Sequence, residues 1–201
     1  MKPFSESCVQ NQGPILEQLQ HLCTEPANVL EIGSGTGQHA VHFAKHLPHL
    51  NWYTSDRLEY HPGIKLWLDE SQLANTHYPI ELDVKQTSWA DLSIDIIFSA
   101  NTAHIMSIAE VEVFFSGVGK QLNNHGLFIL YGPFNYNGQY TSASNANFDI
   151  WLKQQNPHSC IKDFEYLESL AKQANMDFCQ QIDMPANNKI LCWKKNNPGN
   201  D

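Results

Sequence analysis

A glycine-rich segment near the amino terminus has the spacing that most directly suggests chemistry. Residues 29–39 read VLEIGSGTGQH, with Gly33, Gly35 and Gly37 at alternate positions after an apolar run. Such glycines, between a strand and a helix, let a ligand approach the main chain, and the helix start offers it unpaired N–H groups. A dinucleotide-binding loop would have its third glycine at Gln38. The spacing therefore favours a loop for the methionine end of S-adenosylmethionine over a pyrophosphate loop.

Two carboxylates accompany this loop in the sequence. Glu31 precedes Gly33 by two residues, an arrangement typical of class I methyltransferases, and we predict that Glu31 and Ser34 serve the amino acid end of the cofactor. Asp56 ends the next predicted strand, where a carboxylate accepts hydrogen bonds from both hydroxyls of a ribose. The same geometry serves NAD, so Asp56 predicts a bound nucleoside without deciding which one.

Two later strands also end in polar residues, at the edge where open α/β sheets bind ligands. Asp83 is predicted to accept from the adenine amino group while the Val84 N–H meets the ring, although a turn would also explain an aspartate there. Asn101 is predicted to line the methionine portion of the cofactor. His104 is the candidate catalytic base because imidazole titrates near neutrality. The alternative is a histidine that only hydrogen-bonds its own loop.

Histidines and cysteines do not form a recognisable metal motif in this chain. His39, His42, His46 and His49 fall roughly on one face of a predicted helix, but Pro48 ends that helix before the last of them. No paired carboxylate completes a ligand set, so we predict a solvent-facing row and no metal. The five cysteines are widely spaced and include no C-x-x-C, which argues against a disulfide framework.

The elements that must position these residues alternate between strand and helix. Strands are predicted at 27–33, 51–56, 78–84, 94–101, 126–134, 176–185 and 188–195, and helices at 14–23, 38–47, 60–74, 107–122, 148–155 and 163–174. Alternation implies a mainly parallel sheet covered on both faces. Only two residues separate the last two strands, so these must pair as a hairpin. The sequence predicts a doubly wound, seven-stranded, Rossmann-like class I methyltransferase fold with an antiparallel C-terminal hairpin.

Composition limits the classes of partner. A chain of 201 residues fits one domain, 1–201, and 42% apolar residues supply a core. A net charge of −9 without a basic stripe argues against nucleic acid. No apolar run approaches a membrane span and the amino terminus lacks a signal-peptide pattern, so we expect no membrane and a cytoplasmic location. Oligomeric state is not readable from this sequence.

Several longer stretches resemble a domain-of-unknown-function family of class I S-adenosylmethionine-dependent methyltransferase-like proteins. They are KPFS (2–5) with Asn11, the loop 31–39, YGPFNYNG (131–138), SNANFDIWL (144–152) and MPANN (184–188). The resemblance implies the class I fold, binding of S-adenosylmethionine and release of S-adenosylhomocysteine, with Asn11 among the cofactor-binding residues. It implies no particular substrate. Residues 1–25 are expected to form a helical segment that covers the cofactor as a lid, and 134–160 a substrate-side insert.

The insert offers aromatic walls with a few polar groups, the usual composition of a small-molecule pocket. Its predicted lining residues are Tyr131, Phe134, Tyr136, Asn145, Phe148, Asp149 and Trp151. The predicted function is in-line methyl transfer to an O-, N- or S-atom of a small molecule. A non-catalytic S-adenosylmethionine sensor or partner protein and a protein methyltransferase stay open as alternatives. An NAD(P)-dependent oxidoreductase is the least favoured, since no Tyr-x-x-x-Lys is present.

Overall fold

The computed structural model describes residues 2–86 and 89–197. Its strands are β1 (Ala27–Ile32), β2 (Leu50–Asp56), β3 (Thr76–Glu81), β4 (Ile94–Ala100), β5 (Leu122–Gly132), β6 (Phe134–Asn135), β7 (Lys162–Asp163), β8 (Met176–Met184) and β9 (Asn188–Lys195). Its α-helices are α1 (Glu6–Leu22), α2 (Gln38–His46), α3 (His61–Ser71), α4 (Ile108–Gln121), α5 (Ala143–Gln155) and α6 (Phe164–Gln173). Short 3-10 turns span Leu58–Tyr60 and Pro185–Asn187.

Seven strands form one sheet in the order β3-β2-β1-β4-β5-β9-β8. The first five are parallel, and β9 runs antiparallel to both β5 and β8. The predicted class I methyltransferase fold with its C-terminal hairpin is therefore confirmed. The short strands β6 and β7 pair separately.

Alternate residues of each central strand face opposite helical layers. Val29 and Phe98 pack towards α1 and α2, whereas Leu30 and Ile97 pack towards α4 and α6. All four side chains are at most 1% exposed, so the strands are buried on both faces.

Two helices begin earlier than the sequence indicated. Helix α1 starts at Glu6, where Ser5 Oγ accepts from the Cys8 N–H, and Pro14 lies inside the helix instead of opening it. This proline has no N–H to donate to the carbonyl of Gln10, four residues earlier, and Gln10 is an exposed residue. Helix α5 starts at Ala143 because Ser142 caps the N–H of Asn145. Residues 143–147, which precede the helix predicted at 148–155, are therefore helical.

The topology places a crevice at the carboxyl edge of the sheet. From β1 the chain winds outwards through β2 to β3, and then returns to β4 on the other side of β1. The connections that follow β1 and β4 diverge to opposite faces, which opens the sheet edge to a ligand. The glycine-rich loop follows β1 and Asn101 follows β4, so both border this crevice.

Candidate functional site

A cavity of about 510 Å³ lies in this crevice. Its walls come from the start of α1, the loop after β1, the ends of β2 and β3, and the segment after β4. The volume falls within the usual range for small-molecule sites, roughly 300–1,000 Å³. A second depression of about 540 Å³ shares Lys85 with this cavity and extends along α4, where Val113 and Gln121 line it.

The loop after β1 presents backbone to the cavity. Gly35 has a left-handed φ of 58°, and a Cβ added there would meet nothing within 4 Å. Its requirement for glycine is therefore conformational. Gly37 also has a positive φ, and a Cβ there would lie 3.1 Å from the Ile64 Cα, so this glycine permits α3 to approach. The loop is fixed to β2 because Gly33 N and Ser34 N both donate to Ser55 O.

Asp56 lines the cavity where β2 ends, and the loop orients its carboxylate. Oδ2 accepts from Gly35 N at 2.8 Å, and Oδ1 accepts from Arg57 N at 2.8 Å. Burial raises the pKa of Asp56, while the two N–H groups oppose that rise. Each oxygen keeps acceptor capacity for a further donor. One hydrogen bond thus joins Gly35 and Asp56, which are two of the residues that the sequence predicted to bind the cofactor.

Glu31 lies beneath the loop and is not part of the cavity wall. Its side chain is buried, and Oε2 accepts from Trp52 Nε1 at 3.2 Å. Burial raises the pKa of Glu31 to about 7, although hydrogen bonds from Trp52 and Ser34 oppose the rise. The carboxyl group therefore exchanges its proton near neutral pH, and a cation nearby would favour its charged form.

The far wall contains the other predicted cofactor residues. Asp83 and Val84 line the cavity after β3, and Asp83 Oδ1 accepts from Lys85 N at 3.0 Å, which makes the carboxylate part of a turn. Asn101 lines it after β4 with a left-handed φ of 61°, and its N–H donates to Tyr131 O at 2.9 Å. These residues face the same cavity as Gly35 and Asp56.

The prediction that His39 faces solvent is wrong. His39 is 6% exposed and lines the cavity, and its ring stacks on Phe43 with centroids 5.1 Å apart. Burial lowers its pKa to about 4, assisted by the nearby His42. His49 is also partly buried and bonds to Cys23 O, so the four histidines do not form one exposed row.

Helix α1 contributes residues that local sequence motifs did not reveal. Ser5, Ser7 and Cys8 line the cavity, and Asn11 lies beside it with Oδ1 2.7 Å from His39 Nε2. Asn11 also lies near the hydroxyl of Tyr131 and lowers the pKa of that hydroxyl, against the larger effect of burial. The family resemblance singled out Asn11 and residues 2–5, whereas Cys8 carried no signal because the glycine-rich loop with which it shares the cavity wall is more than twenty residues away along the chain.

His104 lies behind the cavity wall. The ring is 7% exposed and meets the Phe148 ring edge-on at 5.2 Å, while the adjacent Ile105 and Met106 form the wall itself. Burial lowers the pKa of His104 to about 4, and the Lys162 ammonium adds to this effect. The structure does not bring this candidate base into the cavity.

The seven predicted substrate-pocket residues are likewise absent from the cavity wall. Phe134 belongs to the core, and the Tyr136 hydroxyl donates to Gln181 on β8. Asp149 is 2% exposed and accepts from Ile161 N at 2.6 Å as well as from Tyr140 and Lys153. These three side chains are engaged in packing or in internal hydrogen bonds.

The other four are Tyr131, Asn145, Phe148 and Trp151. The Tyr131 hydroxyl accepts from Asn188 Nδ2 at 3.0 Å, and Asn145 Nδ2 donates to Asn187 O at 3.2 Å. Phe148 stacks on Trp151, which is 51% exposed. Helix α5 therefore forms a second layer, and only Asn156, at its carboxyl end, reaches the cavity among the described residues after α4.

The amino-terminal residues lie across α3 as a strap, defined as residues 2–5. Lys2 Nζ is 2.7 Å from Glu70 Oε2 and 3.6 Å from the Trp67 ring centroid. Trp67 Nε1 donates to Pro3 O at 2.8 Å. A Cβ at Gly63 would lie 2.6 Å from Pro3 Cγ, so that glycine lets the strap approach α3.

The strap is also tied to the glycine-rich loop. Ser5 N donates to Gln38 Oε1 at 2.5 Å, and Gln38 Nε2 donates back to Ser5 O at 3.2 Å. The cavity wall at this end is therefore held by two contacts with α2 and several with α3.

Within 2–86 and 89–197, no three His, Cys, Asp or Glu side chains converge as metal ligands. No described helix combines the length and apolar character that crossing a membrane requires.

Comparison with known proteins agrees with this architecture. Residues 2–195 match the model of a family described as "Protein of unknown function (DUF938)". An O-methyltransferase family protein from Burkholderia thailandensis superimposes with a TM-score of 0.81 at 11% identity, over 96% of this chain and 58% of that one. Human N-acetylserotonin methyltransferase in complex with S-adenosylmethionine gives 0.81 at 14% identity, over 96% and 53%.

A third structure is an O-methyltransferase family 2 protein from Planctomyces limnophilus in complex with apigenin. It gives a TM-score of 0.75 at 11% identity, over 92% of this chain and 61% of that one. At such identities the similarity establishes the fold. The chain spans a little over half the length of these neighbours.

Proposed function

The chain belongs to the DUF938 family, and from that premise and the geometry of its cavity we propose that it is an S-adenosylmethionine-dependent methyltransferase acting on a small molecule. The observation that carries the proposal is the bond from Gly35 N to Asp56 Oδ2. It couples a loop shaped for close approach of a ligand to a carboxylate suited to ribose hydroxyls, within one cavity of about 510 Å³.

The wall residues fit the parts of this cofactor in sequence along the crevice. Asp83 and Val84 would receive the adenine, Asp56 the ribose, and Gly33 with Asn101 the methionine portion. When bound, the cofactor supplies an electrophilic methyl group on a positively charged sulfur. The chain's task is then to align the acceptor and exclude water.

Buried Glu31 suits the amino acid end of such a ligand. Its pKa of about 7 means that an approaching ammonium group would stabilise the carboxylate at neutral pH. Ser34, which also bonds to Ser55 N at 3.1 Å, fixes the loop above it. Glu31 would therefore act on the cofactor through its charge, and Ser34 by holding the loop in position.

A small-molecule acceptor is supported by the size of the cavity, about 510 Å³, and by the segments that border it. The strap and the start of α1 cover one side, while Ile105, Met106 and Asn156 limit the other. The neighbour from Planctomyces limnophilus was solved with apigenin, a small molecule. We propose that residues 1–25 act as a lid and that the 134–160 insert supports the acceptor side through α5. Ile105 and Met106 line the cavity and His104 does not, so the role of His104 as the base stays a prediction.

Binding measurements on a matched pair of variants test the proposal. Gly35→Ala puts a methyl group into open space but strains a left-handed residue, whereas Gly13→Ala makes the same change in α1, also with open space around it. We expect calorimetry to show S-adenosylmethionine and S-adenosylhomocysteine binding to the wild type and to Gly13→Ala. Binding to Gly35→Ala should be about tenfold weaker, because the alanine loop relaxes out of the left-handed conformation in the free protein and regaining it costs roughly 1–2 kcal/mol.

Asp56→Ala provides the second arm and should weaken both ligands by a similar or larger factor. NADH and NADPH serve as ligand controls. Binding of a nicotinamide in preference to both sulfur compounds, or no binding of either sulfur compound by the wild type, would overturn the proposal. Binding without turnover over a broad acceptor panel would favour the sensor alternative.

A further inference from the structure

The methionine end of the proposed ligand meets an unusual environment, and the inference here rests on the proposed function. If adenine lies at residues 82–84 and ribose at Asp56, the methionine portion extends past Asn101 towards Cys8 and His39, which line the opposite end of the cavity. That portion carries a carboxylate. A buried carboxylate needs a compensating cation or several hydrogen-bond donors.

The cationic side chains of the described wall lie at the nucleoside end. Arg57 follows Asp56 and pairs with Glu59 at 2.8 Å, and Lys85 pairs with Glu110 at 2.7 Å. At the methionine end the titratable groups of the described wall are Cys8 and His39. Burial raises the pKa of Cys8, so it remains a neutral thiol.

The His39 ring is held so that one nitrogen remains available. Asn11 Oδ1 lies 2.7 Å from Nε2, so this nitrogen carries a hydrogen in either charge state of the ring. Nδ1 has no hydrogen-bond partner among the described residues, although the ring is 94% buried, with 6% exposure. A neutral ring in this tautomer presents a lone pair at Nδ1, whereas an imidazolium presents an N–H there.

We propose that His39 binds the carboxylate of the methionine portion through Nδ1–H, and that it takes up a proton at Nδ1 as the ligand enters. Asn11 is then a positioning residue, which acts by fixing the ring through Nε2. The group recognised is an α-amino acid carboxylate, and the ion pair replaces the arginine or lysine that the described wall lacks at this end.

Proton uptake follows from the charges that face the ring. Burial and His42 of α2 lower the pKa of free His39 to about 4, so the ring is neutral at pH 7. Cys8 on α1 and Tyr131 beyond Asn11 are neutral there, and Glu31 on β1 titrates with a pKa of about 7. A bound carboxylate raises the pKa of the ring, so affinity should rise as pH falls between the bound and free values.

The sharpest test compares two ligands that differ only in the carboxylate, S-adenosylmethionine and its decarboxylated form. Calorimetry is run on the wild type, His39→Asn, His39→Phe and Asn11→Ala, with His46→Asn as the matched control, because His46 is an exposed histidine of the same helix. His39→Phe keeps the stacking on Phe43, so it remains informative if His39→Asn unfolds. Thermal unfolding checks each variant.

Protonation of His39 at pH 7 requires the bound carboxylate to raise its pKa from about 4 to above 7, and each unit above 7 gives about a tenfold preference for the carboxylated ligand. We therefore expect the wild type and His46→Asn to prefer the carboxylated ligand by roughly tenfold or more. Both His39 variants should lose most of that preference while keeping their affinity for the decarboxylated ligand. Asn11→Ala should lose part of it. Equal weakening of both ligands in the His39 variants would overturn the inference.

Proton uptake is measured by repeating the titrations in two buffers of different ionisation enthalpy. The wild type should take up more protons than His39→Phe with the carboxylated ligand, and the two proteins should agree with the decarboxylated one. The comparison cancels the titration of Glu31, which both proteins share. No difference between them would refute protonation of His39. Failure of the wild type to bind either ligand would instead refute the proposed function.

Discussion

The strap offers a prediction whose magnitude follows directly from its contacts. Trp67→Phe removes the donor to Pro3 O but keeps an aromatic ring beneath Lys2. Lys2→Met removes the cation and its pairing with Glu70. The lost hydrogen bond contributes about 0.5–1.5 kcal/mol, and the cation–π contact at a partly exposed site about 0.5–1 kcal/mol. The exposed ion pair adds little.

Each single change should therefore raise the population of the open strap by roughly fivefold, and the double variant by about 30-fold. If the strap is a lid that is closed in both the free and the bound protein, the ligand can enter and leave the cavity only while the strap is open. The association and dissociation rate constants should then rise by the same factor, and Kd should stay constant.

Surface plasmon resonance with S-adenosylhomocysteine gives both rate constants. Lys172→Met is the control, because it removes an exposed ion pair with Glu168 on α6, away from the strap. Rate constants that match the control would show that residues 2–5 do not gate the cavity. A rise confined to dissociation would show that the strap contacts the ligand without acting as a lid.

Two pH-dependent predictions concern buried groups. Folding raises the pKa of Glu31 from 4.5 to about 7, so the folded state binds a proton more tightly than the unfolded state. The free energy of unfolding should therefore fall by about 3 kcal/mol as pH rises between these values. Urea unfolding of Glu31→Gln should lack this loss, and the same dependence of the unfolding free energy on pH in both proteins would contradict the prediction. His104 has its pKa lowered from 6.5 to about 4, so it stabilises the fold above pH 6.5 by about 3 kcal/mol that is lost as pH falls towards 4. The free energy of unfolding of His104→Gln should change less than that of the wild type as pH falls from 6.5 to 4. Once an acceptor is known, unchanged turnover of this variant would show that His104 is not the base.

Much of the fold could be predicted because its signals are local. The apolar runs of β1 and β4, the glycines at 33, 35 and 37, and the short link before β9 each restrict the backbone over a few residues. Parallel strands then bring their carboxyl ends to one edge, so Asp56, Asp83 and Asn101 meet in one cavity as expected. That agreement required only the order of the elements.

The sequence by itself determined the sheet, its terminal hairpin and the strand-end residues that border the crevice. Only the tertiary structure decided which histidine meets the cavity: α1 covers His39 through Asn11, whereas Ile105 and Met106 separate His104 from it. It also showed that α5 turns Asp149 towards Ile161 and not towards a ligand. The reason is that periodicity and turn chemistry act over a few residues, while burial and side-chain partners depend on segments brought together from distant parts of the chain.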